Sequence, residues 1–592
     1  MTKHIKNEKG YSLLLTLMLV LLFSILGASL MAMTFNGVQK NETRQEIVQS
    51  VDLAEKGIDH ITAQITSEIN KAITVDGISA SQYIVKLNSI TDSYKCIGGT
   101  AIIEKVATEA GTIYSTCIES IDNDLNSKIT IGSKTEYLRK IVTFKSVGES
   151  NEISETLYSK YNIGASQYPE VLNYAVGAYK DKSNSSPIPG EGNLILNGGV
   201  RIDGDIKVDG DLISSNNGVW RQFRDRRDYD YSVGSVFPEL TGLGSSKSSK
   251  IAIDGDMYKF KHKFSGYSNS FNYQKHIEGT SLKNTAYYEK VDNTNEVFSG
   301  NPSPIKVKNN LEITPINFIE KNKNLELAKS SGNKFNVGTN REFNGVTRSS
   351  DSYLVYSSCF IFWCNDSYTG TFTGKGTNTF NEKLATDGTL VFNSTNTSFK
   401  KGAFVAGNLE IKNSSEKNPS QLSGMIYVEN DVIIENAYLL SDLILYVDGD
   451  VTITESEIFG IPYSNRTGSL IIFAKGDINL ANNSVDSPNP SEFKGYFYSE
   501  QVLELYGVGS NIKIKGGISA RKIILNAVRG SSSNGKYDSE IIQKALPKNK
   551  SRLQVIYDQD IIKNYSQQDI VTEPWIKNVS PPVKLDKSFS TP

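Results

Sequence analysis

Val447-Asp448-Gly449-Asp450-Val451-Thr452-Ile453 is a short phrase that alternates apolar and polar residues around an Asp-Gly-Asp corner. It recurs as Val405-Ala406-Gly407-Asn408-Leu409-Glu410-Ile411, as Val428-Glu429-Asn430-Asp431-Val432-Ile433-Ile434 and as Ala474-Lys475-Gly476-Asp477-Ile478-Asn479-Leu480. Looser copies run from Ser499 to Leu505 and from Ser519 to Leu525. Counted at the third position (407, 430, 449, 476, 501, 521), the spacings are 23, 19, 27, 25 and 20. Strand alternation at this period predicts a parallel β-solenoid over 401–530, because one coil cannot bury its inner face alone and must stack on the next. Val447, Val451 and Ile453 are predicted to line the interior. The loops from Tyr463 to Gly468 and from Asn482 to Pro490 are predicted to project.

Related phrases occur earlier, as Ile202-Asp203-Gly204-Asp205-Ile206, Val208-Asp209-Gly210-Asp211-Leu212 and Ile253-Asp254-Gly255-Asp256-Met257. The first two are too close for two full coils and read as successive strands around one corner. The Asp-Gly-Asp element has two readings. Paired Asp side chains offer hard oxygen ligands to Ca²⁺. Asp-Gly is also a turn signal, with Gly taking positive φ and Asp bonding nearby backbone N–H groups. The turn is the favoured reading, since calcium needs six to eight oxygens.

The chain has 592 residues, 38% of them hydrophobic and 22% charged, and a net charge of -2. That balance excludes a generally basic nucleic-acid binder and a strongly acidic disordered chain. Four His and four Cys leave little material for a zinc enzyme or a multi-disulfide scaffold. No cofactor is expected. No nucleophile elbow, HExxH, P-loop or GxGxxG occurs, and the four His are scattered. The chain is therefore read as no enzyme, with a carbohydrate-active β-helix as the rival.

The amino terminus departs furthest from average composition. No charge occurs between Lys9 and Lys40, and Tyr11–Phe35 is apolar enough and long enough to span a bilayer as a helix. Lys3, Lys6 and Lys9 outweigh Glu8, which predicts a cytoplasmic N-terminus and an extracellular bulk. A cleavable secretory signal and a plain signal anchor are the simpler readings, but the core is long for the former. Beyond the span, Ile47, Val51, Ala54, Ile58, Ile61, Ile65, Ile69 and Ala72 recur at steps of 3 and 4, one face of a helix. Only Asn36-Gly37 offers a bend. A continuous helix from Tyr11 to Ile73 would be about 95 Å long.

Here the residues resemble a known family. Lys9-Gly10 before Tyr11-Ser12-Leu13-Leu14 looks like a type IV prepilin leader. Leu53-Ala54-Glu55-Lys56-Gly57-Ile58 is similar to the LAEAG-type element of PilX-like minor pilins. The resemblance covers about residues 5–65. It implies cleavage by prepilin peptidase between Gly10 and Tyr11, and partnership with other pilins and the assembly platform in the membrane. It departs from the family at Leu15, where most pilins carry a Glu thought to pair with a neighbour's N-terminal amine. That departure suits a tip or initiating subunit, or an uncleaved anchor. The repeated phrase also resembles C-terminal domains that accompany PilX-like N-termini in Gram-positive bacteria. Gln554-Val555-Ile556-Tyr557-Asp558 and Trp575 are similar to the ends of such domains.

The remaining segments follow from this frame. The expected class is α+β: a leader (1–10), a transmembrane helix (11–35), its amphipathic extension (36–75), a small α+β head (76–185), a β-rich region with long insertions (186–400), the solenoid (401–530) and a loosely attached tail (531–592). Asp76-Gly77 ends the helix, and Lys140–Ser146 and Ile153–Tyr158 read as strands around a turn. Cys96 and Cys117 read as a disulfide in an exported head, with two buried thiols as the alternative. Asp122-Asn123-Asp124-Leu125-Asn126 opens like an EF-hand loop but has Ser127 where Gly is needed and Ser133 where Glu is needed, so it reads as a solvated turn. Cys359 and Cys364 bracket Phe360-Ile361-Phe362-Trp363, either a loop disulfide displaying aromatics or a buried strand. Arg221, Arg224, Arg226 and Arg227 beside Trp220 are offset by Asp225, Asp228 and Asp230 and read as a solvated loop. The expectation is a non-enzymatic pilus-like component displaying a solenoid at the cell surface. The alternative is an uncleaved single-pass adhesin whose loops bind a surface polymer.

Overall fold

The computed structural model describes residues 9–73, 78–96, 106–181, 186–309, 371–481, 489–530 and 550–588, apart from short breaks inside these ranges, and isolated stretches between 316 and 355. The chain forms two compact units. One comprises residues 1–167 with 573–592, the other residues 168–572.

In the first unit a single helix runs unbroken from Lys9 to Ala72, through Asn36-Gly37. The helical face read from the sequence is buried from Ala54 onward, with Ile58, Ile61, Ile65 and Ile69 at 0–2% exposure. A second helix, Ala80–Ser93, starts at a capping box. Ser79 Oγ accepts the Gln82 N–H and Gln82 Oε1 accepts the Ser79 N–H. Both helices cover an antiparallel sheet whose order is Val106–Glu109, Thr112–Asn123, Arg139–Ser150, Ile153–Gly164 and Ser580–Ser588. Gly148, Glu149 and Ser150, read from the sequence as part of the turn, belong to the strand, which ends at Ser150; Asn151 follows at φ 54° and the next strand begins at Ile153.

The second unit is a solenoid-like parallel sheet with three short strands per coil. One coil is Glu457–Gly460, Leu470–Ala474 and Ile478–Ala481; the next is the single long strand Ser491–Gly507, which serves all three sides. Equivalent residues stack in register. An inward column runs Phe372, Leu390, Leu409, Val432, Val451, Ile478, Leu503 and Ile523, all at most 1% exposed. Parallel strands stack about 4.8 Å apart, so each aliphatic side chain meets its counterparts above and below. Val447 and Ile453 are fully buried in the same core.

The column does not stop at Ile523. It continues through Leu194, Leu212 and Met257, residues from the start of the unit. The first strands therefore lie inside the stack. Val176–Ala178 sits between Ile518–Ala520 and Ile206–Val208, and Leu194–Gly198 sits between Ile523–Ala527 and Leu212–Ser215. The third side of this junction coil is Leu553–Tyr557, inserted between Ile512–Gly516 and Arg201–Asp203. From the junction the chain builds coils to one end, where Tyr288–Val291 and Ile305–Lys308 close the stack. It resumes at the other end with Asn333–Phe335 and coils back.

This topology departs from four expectations. The solenoid-like sheet begins at Val176, not 401, and the stretch 371–400 supplies ordinary coils. The head ends at 167 and includes the extreme C-terminus. The described part of the segment 531–592 is no loose tail. Leu553 and Val555 are fully buried in the main core, Ser580–Ser588 is a strand of the head, and the helix Asp560–Gln568 lays Ile561 and Tyr565 on the outer face of the sheet. That outer face carries Phe404, Tyr427, Tyr446, Phe473 and Tyr498 in register, an apolar strip that needs a cover. Finally, the Arg-rich stretch is a β-hairpin in backbone, Asn217–Arg224 against Arg227–Gly234, not a loop.

Candidate functional site

The helix Lys9–Ala72 changes surroundings along its length. Every residue from Leu13 to Gln45 is exposed, including Leu15 at 53%. The hydroxyls within the apolar part turn back on their own helix: Thr16 Oγ1 donates to the Leu13 carbonyl, Ser24 to Val20 and Thr34 to Leu30, at 2.8–2.9 Å. Backbone carbonyls that accept Thr16, Ser24 and Thr34 spare these three hydroxyls an unmet donor in an apolar medium. This is the one helix among the described residues long and apolar enough to cross a membrane. Gly10 and Tyr11 lie in its first residues.

From Ser50 the helix enters the head, and the Leu53-Ala54-Glu55-Lys56-Gly57 segment is the point of closest approach. Leu53 and Ala54 are buried. A Cβ on Gly57 would stand 2.3 Å from Thr116 Oγ1 and 2.7 Å from Ser146 Oγ, two hydroxyls bonded to each other at 2.6 Å. On the sheet side, a Cβ on Gly148 would stand 2.0 Å from the Ser50 carbonyl oxygen. Gly148 thus lets the sheet meet the helix backbone at Ser50 and Ala54, and Gly57 makes room for the two sheet hydroxyls. Glu55 faces outward and pairs with Lys587 of the C-terminal strand. Further along, Tyr114 bonds His60 Nδ1 at 3.0 Å, Tyr94 donates to Glu68, and the Val579 N–H donates to Asn70. The helix is held to the head by every element it crosses.

Cys96 and Cys117 are joined by a disulfide, Cα–Cα 5.1 Å, that ties the chain after Ala80–Ser93 to the strand Thr112–Asn123. Cys359 and Cys364, with the aromatics between them, lie outside the described residues, as does the helix stop at Asp76-Gly77. In the EF-hand-like stretch Asp122, Asn123 and Leu125 are exposed, as a solvated turn requires, while one residue is taken into the structure. Asp124 is 3% exposed and holds Asn162 Nδ2 at 2.7 Å and Arg139 Nε at 3.2 Å.

The Asp-Gly-Asp corners form a ladder. Asp431 Oδ1 accepts the Asp450 N–H, Asp450 Oδ1 accepts the Asp477 N–H, and Asp477 Oδ1 accepts the Val502 N–H, at 2.8–3.1 Å. Asn193, Asp211 and Asp256 repeat the pattern at 2.8 Å. Each second Asp therefore serves the backbone of the next coil. The glycine has a different role from the one expected. Gly210, Gly255, Gly407, Gly449 and Gly476 do not have positive φ; of these corners only Gly204 does, at 137°. Their reason is space. A Cβ on Gly476 would stand 2.1 Å from Asp450 Oδ1, and one on Gly449 2.3 Å from Asp431 Oδ1. The signal was present in sequence as the recurrent Gly-Asp pairing, varied to Gly407-Asn408 and Asn430-Asp431, but its partner is a coil away.

Two further places carry chemistry. His276 is fully buried, stacked on Phe260 at 3.9 Å, with Nδ1 at 3.1 Å from Tyr288 Oη and Nε2 at 3.0 Å from Asn197 Oδ1. Burial, with a smaller contribution from His262, pushes its imidazole down to about 3. His262 stands among Phe264, Phe271 and Tyr287 and is also lowered by burial. A groove of about 420 Å³ on the coil corners is lined by Glu416, Glu455, Glu457, Tyr438, Asn436 and four serines among others. Partial burial, then Glu416 and Glu492, raises the Glu457 carboxyl. Tyr463, expected to project, is exposed and also donates to Asp442 at 2.8 Å, and Arg466 clamps the same carboxylate.

No family model and no curated protein matches the chain. Among solved structures, the competence-associated pilin ComZ from Thermus thermophilus aligns over 92% of this chain and 97% of its own, at 11% identity and a TM-score of 0.18. A superposition at that score does not establish a common fold.

Proposed function

We propose that this protein is a non-enzymatic component of a type IV pilus-like assembly, of the PilX-like minor pilin or pseudopilin kind. Its N-terminal helix sits in the cell membrane with the N-terminus cytoplasmic, and the head and solenoid-like unit are displayed outside. Prepilin peptidase cuts between Gly10 and Tyr11, and the helix then meets other pilins and the assembly platform. One observation carries this reading. A single helix is bare and apolar from Leu13 to Phe35, then seated in a folded head from Ser50 through the small-residue contact of Ala54 and Gly57. A helix with those two halves passes from membrane or helix bundle to surface domain without a hinge. Leu15 in place of an acidic residue suits an initiating or tip position better than the repeating filament, and also suits the uncleaved anchor of the second reading. Mass spectrometry of the native N-terminus tests processing: a chain starting at Tyr11 is expected, and an intact Met1 or Thr2 excludes it.

The second reading is an uncleaved surface adhesin, favoured by the groove at Glu416, Glu455 and Glu457 with Tyr438. A surface polymer is its partner. A carbohydrate-active enzyme ranks below both, because carboxylate pairs recur along the coil corners and so single out no catalytic pair.

A further inference from the structure

Lys207 lies between Ile206 and Val208, both buried in the main core, so strand alternation turns Lys207 to the outer face. It is nevertheless 0% exposed. Its in-register neighbours are Gly177 and Ala252, too small to crowd the long stem. The amine is bound to Asp209 Oδ1, two residues on along the same face, and Asp209 is only 8% exposed. The same Oδ1 accepts Nδ2 of Asn309 at 2.8 Å. The other carboxylate oxygen accepts the Lys180 N–H at 3.1 Å, and the Asp209 N–H donates to Ala178, so the carboxylate is held still. One oxygen therefore holds together the amine of a buried lysine and the carboxamide nitrogen of an asparagine from the chain beyond the end-closing strand Ile305–Lys308.

We propose that Lys207, Asp209 and Asn309 are a self-processing cross-link site at which Lys207 Nζ and Asn309 Cγ become joined by an isopeptide bond. The chemistry needs no outside reagent. Inside the buried pair a proton moves from the ammonium to Asp209, leaving a free amine and a carboxylic acid. Nζ attacks Cγ, and the new C–N bond forms as Cγ–Nδ2 breaks. Asp209, touching both nitrogens, relays the proton that Nζ loses to Nδ2, which leaves as ammonia. The released ammonia takes the remaining acid proton and Asp209 is regenerated. A primary amine and a primary amide are consumed; a secondary amide and ammonia are made. The bond would tie Ile206–Val208 covalently to the chain that leaves the closed end of the stack. This inference is independent of the pilus reading.

The test is peptide mapping of the intact, reduced full-length protein by mass spectrometry. The expected result is a branched peptide joining Lys207 and Asn309, lighter than the sum of its two parts by one ammonia, about 17 Da. Trypsin does not cut after Lys207 in that species. Asn309→Ser, which leaves the Lys207–Asp209 pair in place, is expected to restore both the linear peptide and cleavage. A linear peptide with Lys207 and Asn309 intact in the wild type overturns the proposal. So does a deficit of one water, which marks a Lys207–Asp209 bond, or a deficit that persists in Asn309→Ser.

Discussion

Leu194 pairs with Ile523 in one parallel ladder, both fully buried, although nearly the whole solenoid-like unit lies between them in sequence. The junction coil they share is completed only by Leu553–Tyr557, which bonds strands on both sides. Strands at 201–203 and 512–516 therefore depend on the same late segment. Leu553→Ala is expected to cost roughly 2–5 kcal/mol, the range for a buried Leu→Ala. Hydrogen exchange should show lost protection in both Arg201–Asp203 and Ile512–Gly516. Loss confined to Leu553–Tyr557 would mean that the strand is an appendage.

The Asp-Gly ladder makes a prediction about crowding. Gly476→Ala pushes a methyl into Asp450 Oδ1 and the Gly449 backbone. Overpacking of this kind costs about 1–3 kcal/mol. Asp450→Ala removes one bond to the Asp477 N–H and is expected to cost about 1 kcal/mol. Denaturant titration of the two variants should rank Gly476→Ala as the worse, and the opposite order would remove space as the reason for the glycine.

The same ladder bears on calcium. The Oδ1 atoms of Asp431, Asp450 and Asp477 accept backbone N–H groups, so no ion is required to order the corners. Thermal unfolding is expected to be the same with added Ca²⁺ and with a chelator. A transition that falls when calcium is removed would return these corners to the ligand reading.

Acid stability should depend on His276. Its folded value, about 3, lies below the ordinary imidazole value of 6.5. The unfolded chain thus binds the proton first, so stability present above pH 6.5 is lost as pH falls from there toward 3. The largest slope is about 1.4 kcal/mol per pH unit for one such group. Melting temperatures taken from pH 7 to pH 4 should fall less steeply for His276→Phe than for the wild type. Parallel slopes would contradict the assignment.

Gly57 tests the seat of the helix. Gly57→Ala brings a Cβ to 2.3 Å from Thr116 Oγ1 and is expected to destabilise the head by about 1–3 kcal/mol. Glu55→Ala breaks only a part-exposed pair with Lys587 and is expected to cost under about 1 kcal/mol. Equal effects in a thermal melt would show that the tight seat of the helix lies elsewhere.

Much of this was legible residue by residue. Val447, Val451 and Ile453 announce an inner face by alternation alone, and Ala54, Ile58, Ile61, Ile65 and Ile69 announce a helix face by their steps. Both patterns are local, and hydrophobic burial enforces them. What stayed hidden is non-local. Leu553–Tyr557 is a short apolar run that fits any coil, and nothing within it names Ile512–Gly516 and Arg201–Asp203 as its neighbours. The carboxylate of Asp450 is spoken for by a backbone group one coil away, which a reading within the phrase assigns to a turn or an ion. Lys207 looks like any surface lysine until Gly177, Ala252 and Asn309 are brought around it. The apolar strip from Phe404 to Tyr498 was hidden for the same reason, since the helix that covers it arrives from the far end of the chain.

The central claim is that the helix beginning near Tyr11 is a processed pilin-type helix carrying a surface unit. Mass spectrometry of the N-terminal peptide from protein isolated from its native membrane tests it most directly. The account predicts a mature chain whose first residue is Tyr11, with Gly10 removed. A native chain that keeps Met1 or Thr2 would contradict it and leave the anchored adhesin as the reading of the same fold.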